Sequence, residues 1–168
     1  MPVPSLTYQL AAIAGDAIGA AERLFVHRFG LTIHELRVLR LIGDNPGTTF
    51  TWLTSATKIE RSATSRILAR LIKASLVRRE IDDADARQFR LRITAKGRNL
   101  RAKADPLTQE LETLVLSCLD DADRKHLTRT LNRLSGWLTT GFPAELASRY
   151  PELAPDAAPP PRETGRRV

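Results

Sequence analysis

Leu6, Leu10, Ile13, Ala17, Ala20, Leu24 and His27 recur at steps of three and four. That spacing draws one stripe along a helix from about Ser5 to Phe29. Gly30 ends it, and Thr32 with Glu35 three residues later has the form of a reciprocal cap opening a second helix through about Ile42. The cluster Gly43-Asp44-Asn45-Pro46-Gly47 predicts a loop. A short helix near Phe50 to Ala56, a tight turn at Lys58-Ile59-Glu60 and a helix from about Ser62 to Ala74 follow at helix-turn-helix spacing. Leu53, Ala56, Ile59, Ile67, Leu68 and Leu71 are expected to pack together there, leaving the second helix's other face open.

Beyond Leu76 the period changes to alternation, with Val77, Arg79 and Ile81 on one arm of a hairpin and Phe89, Leu91 and Ile93 on the other. Its tip, Asp82 to Arg87, is charged. Thr94-Ala95-Lys96-Gly97 opens a long helix to about Leu119, bent near Pro106, with Leu107, Leu111, Leu114, Val115 and Cys118 on one stripe. A last helix starts after Asp120-Asp121 and carries Leu127, Leu131, Leu134 and Leu138. These amphipathic helices at the two chain ends have more apolar face than a small winged helix can cover, so they predict a subunit interface. From Pro151 onward Pro and Ala dominate, predicting a mobile tail.

The fold class is therefore mainly α with a small β-hairpin wing. A winged helix-turn-helix at residues 31–99 is flanked by a helical dimerisation domain from 1–30 and 100–150, with a disordered tail at 151–168. The chain of 168 residues, 42% hydrophobic and 27% charged, has ordinary globular proportions. No run approaches the roughly 20 apolar residues of a membrane span, and no secretory leader opens the sequence, so a cytoplasmic protein without membrane contact is expected. The lone Cys118 agrees with a reducing compartment. His27, His34 and His126 lack the spacing of paired ligands, so neither metal nor cofactor is expected.

The formal charge of +7 matters because of where it lies: Lys58 to Lys103 holds 14 Lys/Arg against 5 Asp/Glu, and the rest of the chain is slightly acidic. Such a block is the electrostatic footprint of a polyanion-binding surface. Enzyme chemistry is not expected, since the sequence has no glycine-rich phosphate loop, nucleophile elbow or paired carboxylates in an apolar setting. A helical assembly protein that never touches DNA is the other alternative, and it leaves the basic block unused.

The stretch Leu76-Val77-Arg78-Arg79, then Asp85-Ala86-Arg87, then Leu91-Arg92-Ile93-Thr94-Ala95-Lys96-Gly97 resembles the wing of the MarR family of bacterial regulators. Ser62-Ala63-Thr64-Ser65-Arg66-Ile67 followed by Leu71 is similar to that family's recognition helix. The element order fits over about residues 5–142. Three positions depart from the family pattern: Ser75 stands where Gly is usual, Ile81 where Pro is usual, and Ala86 where a second Arg is frequent.

The resemblance implies a homodimer that binds double-stranded DNA at a pseudo-palindromic operator, most often as a repressor, with two recognition helices roughly 34 Å apart. A helix entering the major groove presents short polar groups and Arg near its N-terminus, a description that Ser62, Ala63, Ser65 and Arg66 meet, with Arg61 and Arg70 as flanking phosphate contacts. Arg87 resembles the wing residue that enters the minor groove, oriented by Asp85. Arg90 and Arg92 alternate with apolar residues and so face away from the core, where they can touch phosphates. The resemblance also implies a small aromatic carboxylate or phenol as effector, with Arg23, His27, His34 and Arg37 as the residues to meet it. For these four a second reading stands, in which His27 is a core histidine and the arginines a solvated face. Thiol-based redox sensing through Cys118 is an alternative; the apolar stripe instead places Cys118 in a core.

Overall fold

The computed structural model describes residues 5–81 and 89–153, arranged as six helices and one hairpin. The chain divides into two compact units, Met1–Val115 and Leu116–Val168. Among the described residues no helix is long and apolar enough to cross a membrane.

Helix α1 (Leu6–Phe29) is capped by the Ser5 hydroxyl and stopped by Gly30, whose φ of 67° is left-handed. Its buried face differs from the expected stripe. Leu6 and Ile13 are exposed, and Phe25, with Ala21, Leu24 and Phe29 around it, meets the core while His27 lies outside. Helix α2 (Ile33–Asp44) has the expected capping box: the Glu35 amide donates to Thr32 Oγ1 at 3.1 Å, and the Thr32 amide donates to Glu35 Oε2 at 2.8 Å. Leu36, Val38, Leu39 and Ile42 on α2 are almost wholly buried, so this helix is the spine of the first unit.

Helices α3 (Phe50–Thr57) and α4 (Arg61–Lys73) form the helix-turn-helix. The turn runs through Lys58, whose φ is 55°. Two buried threonines brace it, Thr57 Oγ1 lying 3.3 Å from Thr64 Oγ1. Leu53 of α3 and Leu68 and Leu71 of α4 close the interior.

Strands β1 (Val77–Ile81) and β2 (Phe89–Ile93) pair antiparallel, Val77 opposite Ile93 and Ile81 opposite Phe89. Burial follows the pleat at the base, where Val77, Leu91 and Ile93 are buried, and is lost toward the tip, where Ile81 and Phe89 are exposed. An isolated bridge from Thr48 to Leu91 ties this hairpin to the loop before α3.

Helix α5 (Ala95–Val115) packs on α1 and α2, burying Ala104 and Leu107. Pro106 lies inside it. The helix ends four residues before the expected Leu119, and the placement of Cys118 changes with it. Cys118 is exposed rather than in a core, because helical periodicity does not extend past Val115. In the second unit α6 (Asp121–Arg149) is capped by Asp120, and none of its residues is buried. A single helical turn, Pro151–Leu153, follows it; residues 154–168, which hold most of the expected tail, lie outside the described residues.

The α4 terminus shows what the Ser75 departure from the family pattern costs. The Leu76 amide donates to the Leu71 carbonyl and the Ser75 amide to that of Ile72, both at 2.9 Å. This paired closure needs a left-handed residue at position 75, and Ser75 has φ 59°. Ser75→Gly is expected to raise stability by about 0.5–1 kcal/mol after the added freedom of the unfolded chain is subtracted, read as a higher urea midpoint. Gly97 is constrained by space instead: a Cβ there would collide with the Leu76 carbonyl oxygen and stand 2.8 Å from Ile93 Cγ1. Gly97→Ala is expected to cost about 2–3 kcal/mol in the same measurement, because a backbone carbonyl cannot swing aside.

Candidate nucleic-acid interface

One face of α4 is spent on the core, and this determines what the other can offer. Thr64, Leu68 and Leu71 point inward. Arg61, Ser62, Ser65, Arg66, Ala69 and Arg70 are exposed, and Ala63 is half-buried. A short, polar, cationic row thus stands on a helix whose reverse side is immobilised by packing.

The exposed residues are not equivalent. The Arg61 guanidinium lies over the Phe50 ring, 5.0 Å from its centroid, which fixes the first turn of α4 to α3. The Ser62 hydroxyl donates to the Glu60 carboxylate, and the amides of Ser62 and Ala63 donate to the same group at 3.0 and 3.1 Å. The Ser62 hydroxyl first, then these two amides and the nearby Arg66 charge hold the Glu60 carboxyl below its ordinary range. The sequence places Glu60 in the turn before α4 without marking it as a site residue; its N-cap position ahead of the helix is the signal that could find it.

Arg70, expected as a flanking phosphate contact, is exposed and also makes two internal contacts. Its guanidinium lies 3.0 Å from Glu35 Oε1 and donates to the Gly30 carbonyl at 3.1 Å. The Glu35 side chain is only 4% exposed, so Arg70 ties α4 to the junction of α1 and α2. Glu22 strengthens that junction by accepting from the Ile33 amide at 3.0 Å.

On the wing, Arg90 donates to the Gly47 carbonyl at 3.2 Å. Glu80 takes Arg78 at 2.6 Å and Arg92 at 2.5 Å, so part of the hairpin's positive charge is neutralised internally. Asp85 and Arg87, with the rest of the tip, lie outside the described residues.

A second feature opens between α1, α2 and α5, a cleft of about 410 Å³. Its walls are mostly apolar, with Ala17, Leu24, Phe25, Ile33, Leu36 and Leu111 among them, and Arg37, Arg40, Thr108 and Glu112 supply polar groups. Of the four residues expected to meet an effector, only Arg37 lines it. Arg23 and His27 are exposed on α1, and His34 is half-buried, its Nδ1 without a hydrogen-bond partner among the described residues. Arg40 is missing from the sequence-based reading because its partners are distant in sequence: it donates to Asp105 at 2.7 Å and to Thr108 at 2.6 Å.

The order of a helix-turn-helix followed by a two-stranded antiparallel wing, set among long helices, defines the class of winged helix-turn-helix folds. Residues 29–88 match the model of the MarR family, so the chain is similar to that family over this segment. It is similar to the HTH-type transcriptional repressor Rv2887 of Mycobacterium tuberculosis, 26% identical over 133 residues that span 79% of this chain and 93% of that protein. A crystal structure of MarR superposes with a TM-score of 0.74 at 21% identity, covering 83% of this chain and 94% of the other. The Staphylococcus aureus MepR-DNA complex gives 0.70 at 18% identity, covering 80% and 98%. Rv2887 in complex with p-aminosalicylic acid gives 0.66 at 23% identity, covering 79% and 99%.

Arg70→Ala tests whether that side chain is an internal tie. It should lower stability by about 1–2 kcal/mol in urea unfolding, because the buried Glu35 carboxylate keeps only the Thr32 amide. A solvated phosphate contact would leave the midpoint unchanged.

Proposed function

We propose that the chain is a homodimeric repressor that binds a pseudo-palindromic DNA operator and is released by a small aromatic acid. The observation that carries this reading is the exposed row Arg61, Ser65 and Arg66 on a helix whose opposite face is buried, inside the segment that holds the chain's whole positive excess. Ser65 and Arg66 read base edges, and Arg61 and Arg90 flank them at phosphates. Ser62 and Ala63 set the helix terminus against the groove. Asp85 and Arg87 retain the wing role that the family resemblance implies. The MepR-DNA complex supports the reading, since that fold holds DNA in a solved structure.

The dimer is supported by apolar surface that a single chain leaves in water. Leu6, Tyr8 and Ile13 on α1 are exposed, as are Leu127, Leu131, Trp137, Leu138 and Phe142 on α6. A second copy covering these faces removes several large side chains from solvent, each worth about 1.5–3 kcal/mol when fully buried. The flanking segments 1–30 and 100–150 then form the dimerisation domain, and 31–99 the DNA-binding domain.

The effector reading rests on the cleft and on Rv2887, which was solved with p-aminosalicylic acid. An aromatic ring fits the apolar walls and a carboxylate meets Arg37, for which no hydrogen bond or ion pair is found among the described residues. Arg23, His27 and His34 are left without a role in this cleft.

Duplex binding should weaken by about a thousandfold or more between roughly 50 and 200 mM salt, as expected for several neutralised phosphates, in an electrophoretic shift titration. Arg66→Ala should cost about 1–3 kcal/mol on the preferred sequence and little on random DNA. Salt-insensitive binding, or no binding, refutes the reading. A thermal-shift screen of aromatic carboxylates should give a compound that stabilises the protein and weakens DNA binding, with both effects lost in Arg37→Ala.

A further inference from the structure

We infer that Glu60 is a specificity-determining residue whose carboxylate accepts a hydrogen bond from the exocyclic amino group of a cytosine in the major groove. The inference rests on the duplex-binding reading above and names a contact within it.

Glu60 is the N-cap of α4, immediately ahead of the exposed row, and is itself exposed. Between Lys58 and Lys73 it is the sole acidic residue among five Lys/Arg. On a surface that meets phosphates, a carboxylate lowers affinity for any duplex, so its presence is favourable only where a donor awaits it. In the major groove the base donors are the amino groups of cytosine and adenine. Adenine also turns its N7 acceptor toward the protein, which repels a carboxylate, and this leaves cytosine as the better match.

The group is preorganised for that contact. A carboxylate has about four acceptor positions. Oε2 is occupied by the Ser62 hydroxyl and the Ala63 amide, whereas among the described residues Oε1 takes the Ser62 amide alone. One position on Oε1 remains, on a side chain that three hydrogen bonds hold to the helix end. Capping by itself does not account for Glu here, because Ser, Asp or Asn caps a helix better with a shorter chain. Arg66, close enough for its charge to favour the ionised carboxylate, supplies the complementary donor for guanine.

The test selects duplexes from a random library with the full-length wild type and with Glu60→Ser, whose hydroxyl preserves the cap. Wild type should enrich cytosine at one symmetric position in each half-site. E60S should enrich the same motif with that preference reduced about tenfold or more. In a second arm, wild type is titrated with its selected duplex after that cytosine is replaced by 2-pyrimidinone, which lacks the amino group; affinity should fall by a similar factor. The second arm uses only the unaltered protein and decides the question even where E60S fails to fold. Unchanged cytosine preference in E60S, or full affinity for the 2-pyrimidinone duplex, overturns the contact and leaves duplex binding standing. A wild type that enriches no sequence overturns the contact together with the reading beneath it.

Discussion

The structure depends above all on the one-sided burial of α4. Thr64, Leu68 and Leu71 seal against the interior built by Leu36, Val38, Leu39 and Leu53, and the Thr57–Thr64 hydroxyl pair fixes the turn that delivers the helix. Burial of this kind fixes rotation about the helix axis. Once the inner face is set, the outer row of Arg61, Ser65 and Arg66 has no freedom to turn away, and a contact surface exists before any ligand arrives. The left-handed Ser75 and the crowded Gly97 belong to the same device, since they join the end of α4 to the wing within tight steric limits.

Helix α2 extends that constraint through the first unit. One side carries the core leucines, and Glu35 reaches the far end of α4 through Arg70. Arg40 reaches α5 through Asp105 and Thr108, while Arg101 joins the same Asp105 to Asp44. Ile33, Leu36 and Arg37 of the same helix line the apolar cleft. The cleft and α4 therefore share a single element, α2. For the effector release proposed above this is a physical route, because a ligand-driven shift of α2 moves the Glu35 end of the Glu35–Arg70 tie.

Much of this was legible in the sequence, and the reasons are local. The Thr32-Glu35 capping box, the breaker at Gly30, the turn around Lys58 and the change of period at Leu76 are short-range signals, and each lies where the structure places it. The α1 stripe extrapolates to His27, whereas the buried residue is Phe25, two positions earlier, because packing against neighbouring helices and not spacing along the chain sets the inward face. Cys118 was misplaced because a stripe was continued past the end of its helix. Arg40, Arg70 and Glu35 illustrate a different limit. Their ties join residues 35 to 68 positions apart, and no pattern along one chain distinguishes such a cation from one that faces solvent.

The central claim is that α4 enters the major groove of a duplex, twice, from two copies of the chain. Methylation interference with dimethyl sulfate tests it most directly, because modified guanine N7 lies on the major-groove edge. The account predicts that methylation blocks binding in two tracts centred about 10 base pairs apart, one for each recognition helix. Binding indifferent to guanine N7 methylation, or interference confined to a single tract, would contradict it.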